Sequence, residues 1–361
     1  MLPRSKTVPI ALAAGALVLA AVPFFVSGYY VELGTYAFIA AMLALSLQLL
    51  VGCTGLVSLG HAAFYGLAAY TVYLVTGDGG GRSILVTLPT AMAVAAAAAL
   101  LVGALSLRTR GFFFLMVTLA FGQMMFFLFH DTKLGGGTDG AFLARPVLSI
   151  FDWQLQLTRR QRPIAVYYVS LTLLCAMYLG LVVLLRSMFG RVLEGIRVNE
   201  HRMSALGFNT YRYKLAAFVI AGALAGVAGH MWAMHRGFVN PELIGWHRSA
   251  QALLMILLGG VGALHGPVLG ALAFTGLEEV PQFMAEWRPM ARLFDALSLP
   301  KVGAFVQSLT ERKLLIEGLV ILVVVLVLPR GLVGLRLPKW LGKGRVILKS
   351  PSSAAEVRPH G

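Results

Sequence analysis

The hydrophobic and polar positions along the chain fall into long apolar runs separated by short polar segments. A membrane-spanning helix needs about 20 mostly apolar residues, and no stretch shows the regular two-residue alternation that is typical of barrel strands. Only helices and closed barrels satisfy all backbone hydrogen bonds inside lipid. The pattern therefore predicts helical spans at 9–27, 35–51, 60–76, 84–107, 111–130, 164–185, 214–235, 250–275 and 313–329.

Lysine and arginine residues beside the spans predict which end of the bundle faces the cytoplasm, because cytoplasmic loops carry an excess of both. Arg4 and Lys6 place the N-terminus in the cytoplasm, and the arginine-rich segment 186–214 then lies on the same side. If every later span crossed once, the tail 336–361 would lie outside, although it is also basic. One of the predicted spans must therefore fail to cross.

The span predicted at 250–275 contains the residues that break helices. These are Gly259, Gly260, Gly262, Gly266 and Pro267. Glycine and proline both destabilise a helix interior, so a re-entrant segment at about 250–275 is predicted, covered by protein or water. The polar segment 277–308 is predicted to be an amphipathic helix at the membrane surface. The fold class is thus all-α: one polytopic transmembrane helical bundle, 1–335, with a basic and partly disordered cytoplasmic tail, 336–361.

Composition supports a membrane protein and removes several function classes. The chain is 58% hydrophobic and only 12% charged, against about 25% charged residues in a soluble domain. Its net charge of +15 indicates topogenic residues beside anionic lipid rather than nucleic-acid binding, since no basic patch is interleaved with exposed aromatics. No phosphate-binding loop, zinc-protease motif or nucleophile elbow occurs. The two cysteines indicate neither a disulfide framework nor a metal site.

Polar side chains are sparse inside the predicted spans. His61, His230 and His265 are not spaced as metal ligands, so each is predicted to be packed or to line a cavity. Carboxylates, which ion-coupled transporters usually keep within the membrane, are nearly absent from the spans. Energy for any transport is therefore expected to come from a cytoplasmic partner.

The stretch "GRVLEGIRVNEHRMSALGFN" (190–209) gathers charge in the middle of the apolar chain. Apolar residues recur in it at three- and four-residue steps, which predicts a helix on the cytoplasmic face. That helix would turn Leu193, Ile196, Met203 and Leu206 toward the membrane, offer Arg197, Glu200 and Arg202 to a partner, and end at Gly207. The residues alone fit equally well a loop whose charges only fix topology.

Four stretches resemble, in the same order, the motifs of LivM-type permeases, the membrane subunits of branched-chain amino acid ABC importers. They are "GLVSLGHAAFYGLAAYTVYLV", "TLAFGQMMFF" followed by "GGGTDG", the stretch at 190–209 with the span after it, and "LLGGVGALHGPVLGA". Together they cover roughly residues 36–330. The resemblance implies a multi-pass protein of the bacterial inner membrane that carries no catalytic residue and no cofactor, ATP being bound by partner subunits.

The resemblance also implies partners and site residues. The partners are a LivH-like permease subunit, two LivG- and LivF-like ATPases, a periplasmic substrate-binding protein and membrane lipid, with no nucleic acid. The coupling loop to the ATPases would contain Glu194, Gly195, Arg197, Asn199, Glu200, Ala205 and Gly207. The candidates for the substrate pathway are Ser58, His61, Thr118, Gln123, Thr138 and Asp139. The family usually has glutamate where Gln123 stands, which puts in doubt any role that needs an anion there.

Purely structural roles can also explain the pathway residues, and two rival functions remain. The glycines around Ser58 and His61 suit close helix packing, and Asp139 suits a stabilised turn. Related permeases carry urea, short amides or other amino acids, so the substrate stays open. The rivals are an ion-coupled secondary transporter or channel, which transports without ATPases, and a membrane-bound enzyme, which acts on a substrate by itself.

Overall fold

The computed structural model describes residues 7–77, 82–143, 149–150, 153–154, 161–286 and 331–334, together with Gly318 and Leu322. Most of the span predicted at 313–329, the segment 287–308 and the tail 336–361 lie outside the described residues. Those predictions, and the domain limit at 335, stay predictions.

Helices make up nearly all of the described chain. They are α1 (Thr7–Phe25), α2 (Gly28–Cys53), α3 (His61–Thr76), α4 (Ile84–Ser106), α5 (Phe112–Asp131), α6 (Gln161–Arg186), α7 (Met188–Val198), α8 (Glu200–Ala205), α9 (Thr210–Arg236), α10 (Trp246–Gly259) and α11 (Gly266–Glu286). Short 3-10 turns occur at Gly137–Asp139, Pro241–Leu243 and Leu332–Gly334. Five helices, α2, α4, α5, α6 and α9, are long and apolar enough to cross a membrane. The all-α transmembrane bundle is thus confirmed.

The bundle has two distinct ends. One end, called here the basic end, contains the end of α2, the α4–α5 turn with Arg108 and Arg110, and the helices α7 and α8. The other, called the loop end, contains two small antiparallel ladders, which the sequence pattern did not predict. There β1 (Ala141–Phe142) pairs with β4 (Phe238–Val239), and β2 (Ser149–Ile150) pairs with β3 (Trp153–Gln154).

Helix α2 is the central element, because its sequence has no polar stripe and so can be buried on every side. In its most apolar window 89% of the residues are buried, compared with 22–28% in α4, α5 and α6. The outer helices instead expose large apolar side chains such as Leu101, Phe113 and Val183. Such a surface suits lipid.

Glycines on α9 bring three helices into backbone contact. A Cβ atom on Gly222 would lie 2.4 Å from Ala99 Cβ of α4, and one on Gly229 would lie 2.0 Å from the Tyr65 carbonyl oxygen of α3. Gly226 likewise faces Ala95 of α4. The G-x-x-x-G face of α9 therefore packs within this chain.

The helix predicted at 250–275 is broken, as its glycines indicate. Gly260 has a φ of +111° between α10 and α11, and Cβ atoms on Gly259 and Gly270 would each collide with backbone of the other helix. Helix α10 has 14 residues, about 21 Å, which is too short to cross. Helix α11 continues to Glu286, so the expectation that a separate surface helix begins at 277 is wrong.

The short helix α10 begins below the loop end of the bundle, with Trp246 and His247 exposed and Ser249 buried. The Ala62 amide donates to Ser249 Oγ at 2.8 Å, and Gly66 lies against Ile244, so α10 starts beside the first turn of α3. The backbone from Gly237 to Gly245 therefore descends from the loop end to this depth. Tolerance of such irregular backbone requires a protein covering, and Leu243, Ile244 and Gly245 are all buried.

The tip of the α10–α11 pair lies near the basic end. Gln48 Nε2 donates to the Val261 carbonyl oxygen at 2.7 Å, and Gly331 lies against Gly260. At the opposite end of α11, the Tyr29 hydroxyl donates to Glu279, which places that end beside the start of α2. The chain is thus back near the basic end at Gly331, as the count of crossings predicts.

Candidate functional site

The charged stretch in mid-chain forms two helices rather than one. Helix α7 ends at Val198, Asn199 adopts extended φ and ψ of −157° and 103°, and its side chain accepts a hydrogen bond from the Arg202 amide that caps α8. Val192, Leu193 and Ile196 are buried. Leu206 is 66% exposed, so the expectation that one continuous apolar face reaches it is wrong.

Two residues expected to face a partner also fasten the segment to the bundle. Arg197 donates to the Gly52 carbonyl at the end of α2, which satisfies one of the carbonyls that a helix C-terminus leaves open. Glu200 pairs with Lys214 at the start of α9, with Oε2 2.6 Å from Nζ. The segment is thereby joined to both α2 and α9.

Glycines let the segment fold tightly. Met203 of α8 packs on Gly195 of α7, where a Cβ would lie 2.6 Å from its sulfur. Gly207 has a φ of +88° and ends α8, as predicted, because this left-handed conformation favours glycine. Phe189 and Phe208 both contact the Tyr213 ring, with centroids 5.7 and 6.1 Å away.

What remains exposed on α7 and α8 is a surface of mixed character. Its apolar side chains are Met188, Val198 and Leu206, at 61%, 82% and 66% exposure. Its exposed polar, charged and small residues are Arg191, Glu194, Arg197, Asn199, His201, Arg202, Ser204, Ala205 and Gly207. We call these residues together the α7–α8 face. Large exposed apolar groups rimmed by charge are typical of a protein-binding surface.

The Glu200–Lys214 pair is expected to make the attachment of α8 depend on pH. Burial opposes ionisation, but the hydrogen bond and charge of Lys214 outweigh it and hold the pKa of Glu200 below its ordinary value of 4.5. The pair therefore stabilises the folded state at pH values above 4.5. Its contribution is less than about 1 kcal/mol, because the pair is partly exposed. The contribution is lost as pH falls through the lowered pKa of Glu200. A cysteine at Met203, which packs on Gly195, should react faster with a thiol reagent of pH-independent rate as pH falls from 6 to 3.5. Glu200→Gln should flatten that profile, and an unchanged profile would contradict the role of the pair.

Three of the predicted pathway residues come together at the start of α3. A Cβ on Gly60 would lie 2.0 Å from the Thr118 carbonyl oxygen, and Gly122 of α5 lies against Gly60. Ser58, His61 and Thr118 are fully buried. His61 Nε2 lies 2.9 Å from Ser46 Oγ, whereas His61 Nδ1 and Ser58 Oγ have no partner in the described part of the chain. The glycines here do serve close packing, and the polar atoms beside them are under-satisfied.

The other three pathway candidates lie elsewhere. Gln123 is half-buried and follows Gly122, so it points about 100° away from the face that meets Gly60. Thr138 and Asp139 are exposed in the 3-10 turn at the loop end. They lie at the opposite end of α3 from Ser58, so the structure does not gather the six residues into one site.

The loop that contains Thr138 and Asp139 is held rigidly over α3. Gly135 packs on the Tyr70 ring, Tyr70 stacks on Phe129 with centroids 4.2 Å apart, and Gly140 lies against the Val239 carbonyl. Gly135, Gly136, Gly137 and Gly140 all have positive φ. The turn therefore presents Thr138 and Asp139 outward on a fixed base.

The remaining buried histidine is a packed side chain. His230 Nε2 lies 2.9 Å from Thr87 Oγ1 between α9 and α4, and His230 is fully buried. Across the residues that the structure describes, no group of three histidine, cysteine, aspartate or glutamate side chains is placed to hold a metal ion.

Sequence reasoning missed an arginine inside the bundle. Arg248, near the start of α10, lies over the Trp232 ring of α9 at 5.3 Å from its centroid and donates to Gln251 Oε1 at 3.1 Å. Tyr36 of α2 and Tyr65 of α3 complete the surroundings. The sequence shows only a lone arginine in "WHRSAQALLM", and the tertiary structure supplies its depth; an ionisable residue at membrane depth points to function.

Comparisons with known proteins agree with this architecture. The model of one protein family, described as a branched-chain amino acid transport system permease component, matches residues 29–326. The chain is 33% identical over 285 residues to the high-affinity branched-chain amino acid transport system permease protein LivM of Escherichia coli K12, and equally to LivM of Salmonella typhimurium LT2. Each match covers 73% of this chain and 66% of the relative, so the chain spans about two thirds of the length of these relatives.

A second type of permease is similar over a shorter region. The chain is 31% identical over 157 residues to the permease protein LivH of Escherichia coli K12, and the match covers 43% of either chain. No solved structure matches the chain significantly.

Proposed function

Because the chain belongs to the family of branched-chain amino acid transport permease components, we propose that it is one of two membrane subunits of an ATP-driven importer. The substrates would be branched-chain amino acids. The chain would form half of the pathway and leave ATP hydrolysis to its partners, so that it carries no catalytic residue and no cofactor of its own.

One observation carries this proposal beyond family membership: the segment that bears the α7–α8 face is joined to two spans at once. Arg197 binds the end of α2, and Glu200 binds Lys214 of α9. Force applied to α7 and α8 by a closing pair of ATPases would thus reach the central helix and the helix packed against α3 and α4. A loop whose charges only fix the topology of the chain would need neither attachment.

The surfaces of the bundle also fit the partners of such an importer. The α7–α8 face suits an ATPase of LivG or LivF type, and similarity to both LivM and LivH suits a pair of like permease subunits side by side. The turn with Thr138 and Asp139, held rigid at the loop end, suits contact with a periplasmic substrate-binding protein. With arginine-rich α7 and α8 in the cytoplasm, the protein would lie in the bacterial inner membrane with its loop end outside.

Reconstitution tests the proposal against ion-coupled transport. The chain is purified with the subunits that accompany it and placed in proteoliposomes, and uptake of radiolabelled L-leucine is measured with its binding protein present. We expect uptake with ATP on the ATPase side and none with a proton or sodium gradient alone. A partner ATPase variant that binds ATP without hydrolysing it is the control. Uptake sustained by an ion gradient alone would reject the proposal, and urea or an amide taken up in place of leucine would reassign the substrate.

A further inference from the structure

A small cavity lies where α2, α3, α9 and α10 meet, and Arg248 forms part of its wall. The lining residues from α2 are Tyr36, Ile39, Ala40 and Leu43; those from α10 are Arg248, Gln251, Ala252 and Met255; α3 and α9 add Tyr65 and Trp232. Since α10 starts at the depth of the first turn of α3, the cavity lies within the membrane-embedded part of the bundle. None of its residues belongs to the α7–α8 face or to the glycine contact at Gly60.

Arg248 is held in place without a carboxylate partner. In the described part of the chain its guanidinium contacts Trp232 by its face, Gln251 Oε1 at 3.1 Å and, at 3.5 Å, the Tyr36 hydroxyl. An arginine has five N–H donors in a fixed fork that fits a carboxylate in bidentate fashion. A charge at membrane depth is costly unless it is paired. Glu278 of α11 acts on Arg248 electrostatically, but in the described chain no carboxylate is hydrogen-bonded to it, so donors of the fork remain for a second carboxylate.

A tyrosine side chain lines the same cavity. Tyr65 is only 3% exposed, and Arg248 and Tyr36 act on it electrostatically. Tyrosine hydroxyls inside a fold normally form a hydrogen bond. The cavity thus has a cation and a tyrosine ring in its wall.

The lining changes from polar to apolar along the two helices that run side by side. On α2 the sequence of lining residues is Tyr36, then Ile39 and Ala40, then Leu43; on α10 it is Arg248 and Gln251, then Ala252, then Met255. These steps of three and four keep each set on one helix face. Seven residues of helix span about 10 Å. A ligand that fits this wall has a charged head and an aliphatic body.

We propose that this cavity is the substrate site of the permease, with Arg248 binding the α-carboxylate and the lower wall receiving the aliphatic side chain. The inference rests on the proposed function and adds to it a location and named residues. The rings of Tyr36, Tyr65 and Trp232 would surround the α-ammonium group by cation–π contact. Glu278 of α11, which acts electrostatically on both Tyr36 and Arg248, would favour the same positive group.

The cavity is small in this conformation and partly open at its side. Its volume of about 20 Å³ admits one water molecule, so an amino acid fits only when the lining helices α2 and α10 move apart. Alternating access requires a change of this kind. The structure therefore shows the proposed site in a contracted state.

Direct binding tests the proposal without needing ATPase activity. The full chain is held in phosphatidylethanolamine–phosphatidylglycerol nanodiscs, and binding of radiolabelled L-leucine is measured in competition with leucinamide, which lacks the carboxylate, and 4-methylpentanoate, which lacks the ammonium group. We expect leucinamide to compete about tenfold or more weakly than leucine, since charge-assisted bidentate hydrogen bonds are the strong ones. In Arg248→Gln, leucine binding should fall to the level of leucinamide, so that the ratio between the two approaches one.

Matched variants separate recognition from folding. Arg236→Gln removes another guanidinium that lies over the same Trp232 ring, 5.4 Å from its centroid, but does not line the cavity, and should leave the ratio unchanged. Arg248→Lys keeps the charge, loses the fork and should give an intermediate ratio. Wild-type chain that binds no leucine, or Arg248→Gln that keeps the preference for leucine over leucinamide, overturns the site. ATP-driven uptake by wild-type proteoliposomes would at the same time leave the proposed function standing.

Discussion

Gly60→Ala is expected to lower the yield of folded protein by about tenfold or more. The added Cβ would lie 2.0 Å from the Thr118 carbonyl oxygen, and the atoms that collide are backbone on both helices, so no side-chain rotation relieves the contact. Overpacking a core costs about 1–3 kcal/mol and more where the backbone cannot yield. Gly60 has a φ of −92°, which alanine adopts freely, so the predicted effect comes from the collision alone. Yield and thermal stability of a fluorescent fusion in detergent measure it.

Gly180→Ala is the matched control. Gly180 lies within α6, and nothing lies within 4 Å of an added Cβ. Alanine stabilises a helix interior relative to glycine by about 1 kcal/mol, so this variant should be as stable as the wild type or more so. Equal stability of the two variants would mean that α3 and α5 do not meet at Gly60.

The joint change Val198→Asp and Leu206→Asp is expected to abolish ATP-driven uptake while the chain remains folded. Both side chains are exposed on the α7–α8 face, so the monomer loses no core packing. If an ATPase covers them, the two substitutions remove roughly 3 kcal/mol of apolar burial, about a hundredfold in affinity. Co-purification of the ATPase and uptake in proteoliposomes are the measurements.

Its control keeps the surface apolar. Val198→Ile adds one methylene group and Leu206→Met conserves volume. Neither change introduces polarity, and both side chains are exposed. This variant should retain most of the co-purifying ATPase. Full uptake by the aspartate variant would show that the ATPases dock elsewhere and would remove the main support for the coupling role of α7 and α8.

The spans were predictable because their signal is a long apolar run, which tertiary packing does not alter. The break at Gly260 was equally visible, since no other residue type so disfavours a helix while allowing a φ of +111°. The break at Asn199 was missed although its signal was local: asparagine is a strong N-cap, and here its side chain accepts from the Arg202 amide. The three- and four-residue periodicity on either side concealed the change of direction.

Arg248 was missed for a different reason. Hydropathy placed the start of the span at 250, so the arginine appeared to stand in the loop before it. The structure shows that this backbone lies deep, beside Ala62 and Gly66 of α3. Depth within the bundle depends on which helices a segment packs against, and no local pattern contains that information. The roles of Glu200 and Arg197 were likewise hidden, because their partners, Lys214 and Gly52, are fixed by tertiary structure.

The glycine contacts of α9 have a mechanical consequence. Helices that approach as closely as they do at Gly222, Gly226 and Gly229 cannot slide without collision, so α3, α4 and α9 behave as one stiff body. The pair α10–α11, interlocked at Gly259 and Gly270, is a second such body. The two bodies meet where Arg248 faces Tyr65, at the contact of α10 with α3 that Ser249 and Gly66 hold together.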